Sequence, residues 1–378
     1  HGIEILSCTD VLCLDKTGTI TDGTMEVVNT VVLNNKIDID EIIANINTEE
    51  GNNATDIALK KKYGVKTSLN VTDRTAFSSS KKCSITTIND TKYYLGALEY
   101  ITNKKLTDYE ELTKYILKGY RIITLASGNT NIKVDAFIIL KDNVRASAKD
   151  TLNYFKHQDV EIKIISGDNP VTVSNILRQL EFDGYDRFIE GKDLPKDYDE
   201  LVKVVKEITI FGRMTPSDKQ KVIKALKENN TVSMIGDGVN DILALKEADC
   251  GIALGSGVGA AKSVSEVVLT NNDFSTLPGI VNEGRRVVNN IERVASMYLI
   301  KTTYSLLLSL SSLILSYEYP FYPIQLSLIS AICVGIPSFF LALEPNYNKV
   351  GKDFIVNVFR NALPNGIMVM LNIFIIIM

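Results

Sequence analysis

The stretch Val11-Leu12-Cys13-Leu14-Asp15-Lys16-Thr17-Gly18-Thr19-Ile20-Thr21 decides the fold of this chain. Four apolar residues run into a carboxylate, a lysine, a small hydroxyl and a glycine. This pattern predicts a buried strand that delivers Asp15 to its C-terminal tip, where open α/β sheets carry their chemistry. A carboxylate placed there can act as a nucleophile and accept a phosphoryl group. The hydroxyls and amides of Thr17, Gly18 and Thr19 can hold phosphate oxygens, and Lys16 can offset charge. A bare D-x-x-G would read as an ordinary polar turn, but the string D-K-T-G-T-I-T is far more specific.

Working outward, strand-like runs at 11–14, 162–165, 208–211 and 231–235 end in turns containing Gly or Asp. Helical patterns follow at 143–157, 171–180, 216–228 and 241–248. This alternation predicts an α/β fold with a doubly wound parallel sheet. Between 25 and 135 the rhythm changes to Thr- and Asn-rich strand patterns with helices, which reads as an inserted α+β domain. The expected organisation is a discontinuous catalytic domain at 1–24 and 136–290, an insert at 25–135, and a membrane region at 295–378.

Three further motifs sit at expected strand ends. Gly236-Asp237-Gly238-Val239-Asn240-Asp241 offers hard oxygen ligands suited to Mg²⁺. Asp237 is expected to ligate the metal together with Asp15 and the backbone carbonyl of Thr17, with Asn240 and Asp241 behind them. In Ser166-Gly167-Asp168-Asn169, the Ser166 hydroxyl can bind a phosphate oxygen and Gly167 lets backbone approach. Pro216 suits a first helical turn and would project Lys219 from that helix.

The string from Asp15 to Thr21 resembles the phosphorylation signature of P-type ATPases, ion pumps of the haloacid dehalogenase-like superfamily. The order of nucleophile, phosphate hydroxyl, lysine and metal carboxylates is similar too. The resemblance implies that Asp15 forms an aspartyl-phosphate, with Lys219, Ser166 and Asp168 as its catalytic companions. Pumps usually carry Thr at the Ser166 position, and the hydroxyl is kept. Simple phosphatases place a general acid two residues after the nucleophile; Thr17 stands there, so a longer-lived phosphoenzyme is expected.

The resemblance also implies ATP binding in the insert. Phe77-Ser78-Ser79-Ser80-Lys81-Lys82-Cys83-Ser84 resembles the family's adenine-binding strand, with Phe77 stacking and Lys82 meeting phosphate. Asp56, in Asn53-Ala54-Thr55-Asp56, matches the acidic motif near adenine loosely, since Glu is commoner there. In Tyr94-Leu95-Gly96-Ala97, Gly96 matches the family's Lys-Gly-Ala element while Leu95 replaces its lysine. Arg121, Arg145 and Arg213 complete the expected nucleotide set, and Asp142 with Arg145 resembles the family's D-x-x-R.

The formal net charge of −4 makes no electrostatic case for nucleic acid. Five cysteines without a C-x-x-C pair read as buried thiols, and two histidines argue against a histidine metal site. Residues 295–316 and 321–343 are nearly uncharged stretches long enough to cross a bilayer, and a third begins near Pro364. Arg285, Arg286 and Arg293 precede the first span and Lys349, Lys352 and Arg360 follow the second, whereas the loop 317–322 has no Lys or Arg. The positive-inside rule then puts the catalytic domains in the cytoplasm, and a multi-pass plasma-membrane protein is expected. No Met starts the chain and it stops inside the apolar run 367–378, so both ends are expected to be cut. By the resemblance, an N-terminal actuator domain and four helices needed for transport would precede it.

The first two spans carry no Asp or Glu. Lys301 is their one formal charge, expected near the cytoplasmic end where it could snorkel. Thr302, Thr303, Ser305, Ser309, Gln325, Ser327, Ser330 and carbonyls freed by Pro337 are possible ligands, though most read as helix-packing hydroxyls. The sequence Gly335-Ile336-Pro337-Ser338-Phe339-Phe340-Leu341-Ala342-Leu343 is similar to a pump subgroup associated with calcium. The expected cargo is therefore Ca²⁺, with Mg²⁺ or a monovalent cation as alternatives. Other readings are a membrane-tethered phosphatase and a decayed fragment serving as an interaction module.

Overall fold

The computed structural model describes residues 2–50, 53–77, 82–351 and 353–377. The chain divides into two units, one of residues 11–157 and 161–275, the other of 1–10, 158–160 and 276–378.

The first unit contains two sheets. A seven-stranded parallel sheet has the order Val267–Leu269, Cys250–Leu254, Val232–Gly236, Val11–Leu14, Glu161–Ile165, Ile210–Gly212, Phe188–Glu190. Its central strand, Val11–Leu14, is apolar along its length, as suits a parallel strand buried on both faces. Val11, Leu12, Cys13 and Leu14 are all buried. Strand order reverses at Val11–Leu14, and crevices outside such reversals are where α/β sheets bind ligands. The register pairs Leu14 with Ile235 on one side and with Ile164 on the other. One residue further on, the chain delivers Asp15 beside the ends of both neighbouring strands.

The second sheet is antiparallel, in the order Thr21–Val32, Lys133–Val144, Arg121–Ser127, Thr91–Gly96, Cys83–Ile88, Val71–Thr75. Helices Ile39–Ile46 and Ala54–Tyr63 cover one face through Ile43, Leu59, Leu125, Ile138 and Leu140. Leu98, Leu112, Tyr115, Phe137 and Ile139 form a second cluster. Both long strands run past the sequence limits of 25 and 135, to Thr21 and Val144.

That extension corrects one expected helix. The element placed at 143–157 begins only at Ala148, because 143 and 144 finish a strand and the Arg145 amide donates to the Ile20 carbonyl. Similarly, Ile208 caps the helix Tyr198–Glu207, so the strand placed at 208–211 becomes Ile210–Gly212.

The second unit is helical. Leu277–Leu315 is one helix of 39 residues, starting well before 295. Pro323–Leu343 is the second span, with a π-helical stretch at Ser330–Gly335. The third is Phe354–Ile377, ten residues longer at its start than the sequence pattern suggested. Asn357, Arg360 and Asn361 interrupt the apolar run in the sequence, yet all lie within the helix, and Arg360 donates to Asn357 at 3.1 Å. Pro364 sits inside this helix, as membrane helices tolerate. All three are long and apolar enough to cross a membrane. Arg293 pairs with Glu344 at 2.6 Å, and Asn290 donates to the Glu344 carbonyl at 2.9 Å, tying the first span to the loop after the second. Lys352, Met378 and the side chain of residue 377 lie outside the described residues.

Candidate active site

The turn after Val11–Leu14 is built around Asp15. Its carboxylate accepts from the Thr17 amide at 3.2 Å, and its own amide donates to the Ile235 carbonyl at 2.9 Å. Gly18 follows at φ +75°, a conformation that favours glycine. A Cβ at Gly18 would stand 2.4 Å from Asp237 Oδ2, so the loop also needs the missing side chain for space.

Lys219 is positioned by its helix. Thr215 caps Pro216–Lys227 by accepting from the Asp218 amide at 3.2 Å, and Asp218 accepts in return from the Thr215 amide at 3.2 Å. With Pro216 setting the first turn, Lys219 falls on the buried face. Its ammonium donates to Asp15 Oδ1 at 2.8 Å and to Asp241 Oδ1 at 2.6 Å. The short 3₁₀ turn Val239–Asp241 folds Asp241 back, where its carboxylate also accepts from the Gly238 amide at 3.1 Å. The sequence placed Asp241 behind the site; the turn brings it into direct contact with Lys219.

Asp15, Thr17, Ser166, Gly167, Asp168, Lys219, Asp237, Gly238, Asn240 and Asp241 line one cavity of about 240 Å³. Gly238 lines it too, at the tight Gly-Asp-Gly turn that the sequence sets close to a phosphate. Ser166 is buried, its hydroxyl accepting from the Asp168 amide at 3.2 Å. Carboxylate oxygens of Asp15, Asp237 and Asp241 lie within 4.8 Å of one another. Burial raises the Asp15 pKa to about 6, with Lys219 opposing and Asp241 adding to the rise. Burial and the neighbouring Asp241 also hold Asp237 above the usual carboxylate range. Burial works against the Lys219 ammonium, but Asp15 and Asp241 overcome it and its pKa is raised. Three carboxylates around one ammonium leave excess negative charge on hard oxygen donors, a fit to a divalent cation such as Mg²⁺.

Five expected site residues, Lys16, Gly18, Thr19, Arg145 and Arg213, line neither this cavity nor the nucleotide cavity; Gly18 sits in the Asp15 loop. Lys16 is buried and does not itself line the cavity; its ammonium pairs with the cavity-lining Asp168 at 2.6 Å and with Asp142 at 2.8 Å. Thr19 is buried and does not line the cavity. Arg145 donates to the Gly18 carbonyl at 2.7 Å, which puts it under the Asp15 loop rather than at the nucleotide cavity. Arg213 lies 3.7 Å from Glu190 and lines neither cavity.

A separate cavity of about 370 Å³ lies in the antiparallel domain. It gathers Asp56, Phe77, Lys82, Gly96 and Arg121, the remaining expected nucleotide residues, with Asn53 and Leu95. Phe77 is half exposed and not in a strand; Ser78, Ser79, Ser80 and Lys81 lie outside the described residues. Asn53 caps Ala54–Tyr63 by accepting from the Asp56 amide at 2.9 Å, and its own amide group donates to Asp56 Oδ2 at 2.7 Å, fixing that carboxylate. A Cβ at Gly96 would meet the Lys82 carbonyl at 2.3 Å, so the cavity floor depends on close backbone approach. An exposed aromatic face beside a lysine and an arginine suits a purine with a phosphate tail.

Residues 9–249 match the haloacid dehalogenase-like hydrolase family. The calcium-transporting ATPase CtpE of Mycolicibacterium smegmatis is 35% identical, over 97% of this chain and 49% of its own length. The probable cation-transporting ATPase exp7 of Streptococcus pneumoniae is 36% identical, over 99% of this chain and 50% of its own. The chain therefore spans about half the length of the curated relatives it matches. A zinc-transporting PIB-type ATPase in its E2.Pi state shares the fold with a TM-score of 0.58 at 20% identity, over 96% of this chain and 51% of that one. The catalytic domain of the CPx-ATPase CopB-B aligns with a TM-score of 0.53 at 26% identity, over 74% of this chain and 92% of that one. The strand-tip cavity, the profile match and these relatives agree: the chain belongs to the haloacid dehalogenase-like hydrolases, on the branch of the P-type ATPases.

Proposed function

We propose that this chain carries the phosphorylation and nucleotide-binding machinery of a P-type pump that drives a cation across the plasma membrane. The convergence of Asp15, Lys219, Asp237 and Asp241 at adjacent strand tips carries this reading. An Asp15 carboxylate oxygen attacks the γ-phosphorus of ATP, the bond from that phosphorus to the β,γ-bridging oxygen breaks, and ADP leaves as Asp15 becomes an aspartyl-phosphate. The Lys219 ammonium, already between Asp15 and Asp241, draws charge from the transferring group. Ser166 and the Thr17 and Gly18 amides receive its oxygens. Mg²⁺, held by Asp15, Asp237 and the Thr17 carbonyl, would supply electrostatic shielding of the phosphoryl oxygens when bound. Lys16, clamped by Asp142 and Asp168, orients the loop rather than the phosphate. ATP is held by the 370 Å³ cavity, Phe77 against adenine and Lys82 with Arg121 toward the phosphates.

The proposed division follows function: phosphorylation at 1–24 and 136–290, nucleotide binding at 25–135, both cytoplasmic, and membrane helices from 295. The cargo proposed is Ca²⁺, supported by the calcium-transporting relative that is 35% identical. The test is acid-stable, hydroxylamine-labile ³²P incorporation from ATP by the protein in vesicles, with the cation varied and Asp15→Asn as control. Labelling that requires Ca²⁺ and disappears in the variant is expected. Label that persists in Asp15→Asn would overturn the mechanism.

A further inference from the structure

The third span carries a row of carboxamides on one face. Asn361, Asn365 and Asn372 follow Asn357 by four, eight and fifteen residues. At about 100° per residue, all four fall within about 80° of one another on the helix and spread over about 22 Å of its length. Val358, Ala362 and Gly366, one position after three of them, are buried where this helix packs on the first span. A Cβ on Gly366 would stand 2.7 Å from the Thr303 side chain, so that seam is closed. The asparagines lie on its flank, and Asn361, Asn365 and Asn372 are exposed there. The Asn365 amide group donates to the Asn361 carbonyl at 2.7 Å and leaves its own oxygen unused. Among the described residues, the side chains of Asn361 and Asn372 have no hydrogen-bond partner. Val356, Leu363 and Ile367 point to the far side of the helix, exposed and wholly apolar.

Lipid tails offer neither donor nor acceptor, so an uncovered carboxamide in the hydrocarbon core keeps its full desolvation cost. Polar side chains in membrane helices therefore face other helices or water. Three of them on one face, at spaced depths, follow the contact line of a packed helix rather than the outline of one small molecule. The relatives this chain matches are about twice as long, which leaves room for further spans. We propose that this face docks a further membrane helix of the same polypeptide, one that presents hydroxyl or carboxamide groups at the depths of Asn361, Asn365 and Asn372. Each asparagine both donates and accepts, so a Ser, Thr, Asn or Gln opposite it is satisfied in one contact. Met368 and Ile375, exposed on the same face, supply apolar packing between those bonds. Interhelical hydrogen bonds of this kind hold membrane helices together where the hydrophobic effect cannot. The docking depends only on these helices crossing a membrane, and not on the ATP chemistry above.

The test places the photo-crosslinking residue p-benzoylphenylalanine, one position at a time, in the full-length protein in its native membrane, and identifies the products by mass spectrometry. At Asn361, Asn365 and Asn372 it should bond to peptide of the same polypeptide outside residues 1–378. At Val356, Leu363 and Ile367 it should bond to lipid. Lipid adducts at all six positions, or a crosslink within residues 1–378, would overturn the proposal. So would a crosslink joining two polypeptides, which would make a second copy the occupant. No adduct at the asparagines beside lipid adducts at Leu363, the mark of a water-filled path, would overturn it as well. A second measurement avoids the bulky probe. Asn361→Leu, Asn365→Leu and Asn372→Leu should each shorten the folded half-life in detergent roughly threefold, the scale of one interhelical hydrogen bond. Three leucine variants that last as long as wild type, or longer, would overturn the hydrogen-bonded contact.

Discussion

Gly18→Ala separates the two demands made on the Asp15 loop. At φ +75° an alanine meets left-handed backbone strain of about 1–2 kcal/mol. Its Cβ would also stand 2.4 Å from Asp237 Oδ2 and 3.2 Å from Asp237 Cγ. An ordinary contact needs about 3.4 Å, so the carboxylate must retreat by roughly 1 Å, a misplacement that costs on the order of 10²-fold in rate at a catalytic site. Gly23 supplies the control. It has φ +79°, and a Cβ there meets nothing within 4 Å, so Gly23→Ala carries the backbone strain alone. Both variants should melt a few degrees below wild type by about the same amount. Only Gly18→Ala should lose phosphorylation, by about two orders of magnitude, with Mg²⁺ half-saturation moved upward. The assay is initial-rate ³²P labelling across a Mg²⁺ titration beside a thermal scan. Labelling by Gly18→Ala at the Gly23→Ala rate and the same Mg²⁺ requirement would refute the placement of Asp237 as a metal ligand.

Three other outcomes are expected. Lys219→Met removes the ammonium shared by Asp15 and Asp241, leaving two buried carboxylates unpaired; phosphorylation should drop by about 10³-fold and stability by roughly 3–5 kcal/mol, read by labelling and by denaturant titration. Gly96→Ala drives a Cβ to 2.3 Å from the Lys82 carbonyl, so the nucleotide cavity should close and fluorescent-ATP binding should weaken while the metal cavity is spared. Lys163 is buried under the Lys206 and Ile208 carbonyls, with Glu161 at 2.7 Å, and burial lowers its pKa. The unfolded chain therefore binds the extra proton between the lowered folded value and the ordinary lysine value. Stability should rise with pH through that window relative to Lys163→Met, and equal slopes for the two proteins would contradict it.

The elements around Asp15 were legible because their signals are local. A short apolar run followed by a polar turn announces a parallel strand and its tip in the same few residues, so 11–14, 162–165 and 231–235 fell within a residue or two of the observed strands. Boundaries failed where a second element competed for the same residues. Asn143 carries a helical pattern but is held by the ladder of Lys133–Val144. Asn357, Arg360 and Asn361 interrupt an apolar run without interrupting the helix that contains them.

The sequence by itself determined the α/β alternation, the placing of Asp15, Ser166 and Asp237 after strands, and the existence of apolar spans, because each depends on neighbours a few residues apart. Only the tertiary structure decided which charges meet. Lys219 reaches Asp15 across 204 residues, Lys16 turns to Asp142 across 126, and Arg145 is held at Gly18 across 127. Those pairings follow from the order of strands in a sheet and the face each helix buries. A cation's partner in a low-dielectric interior is whichever carboxylate or carbonyl the packing leaves within reach.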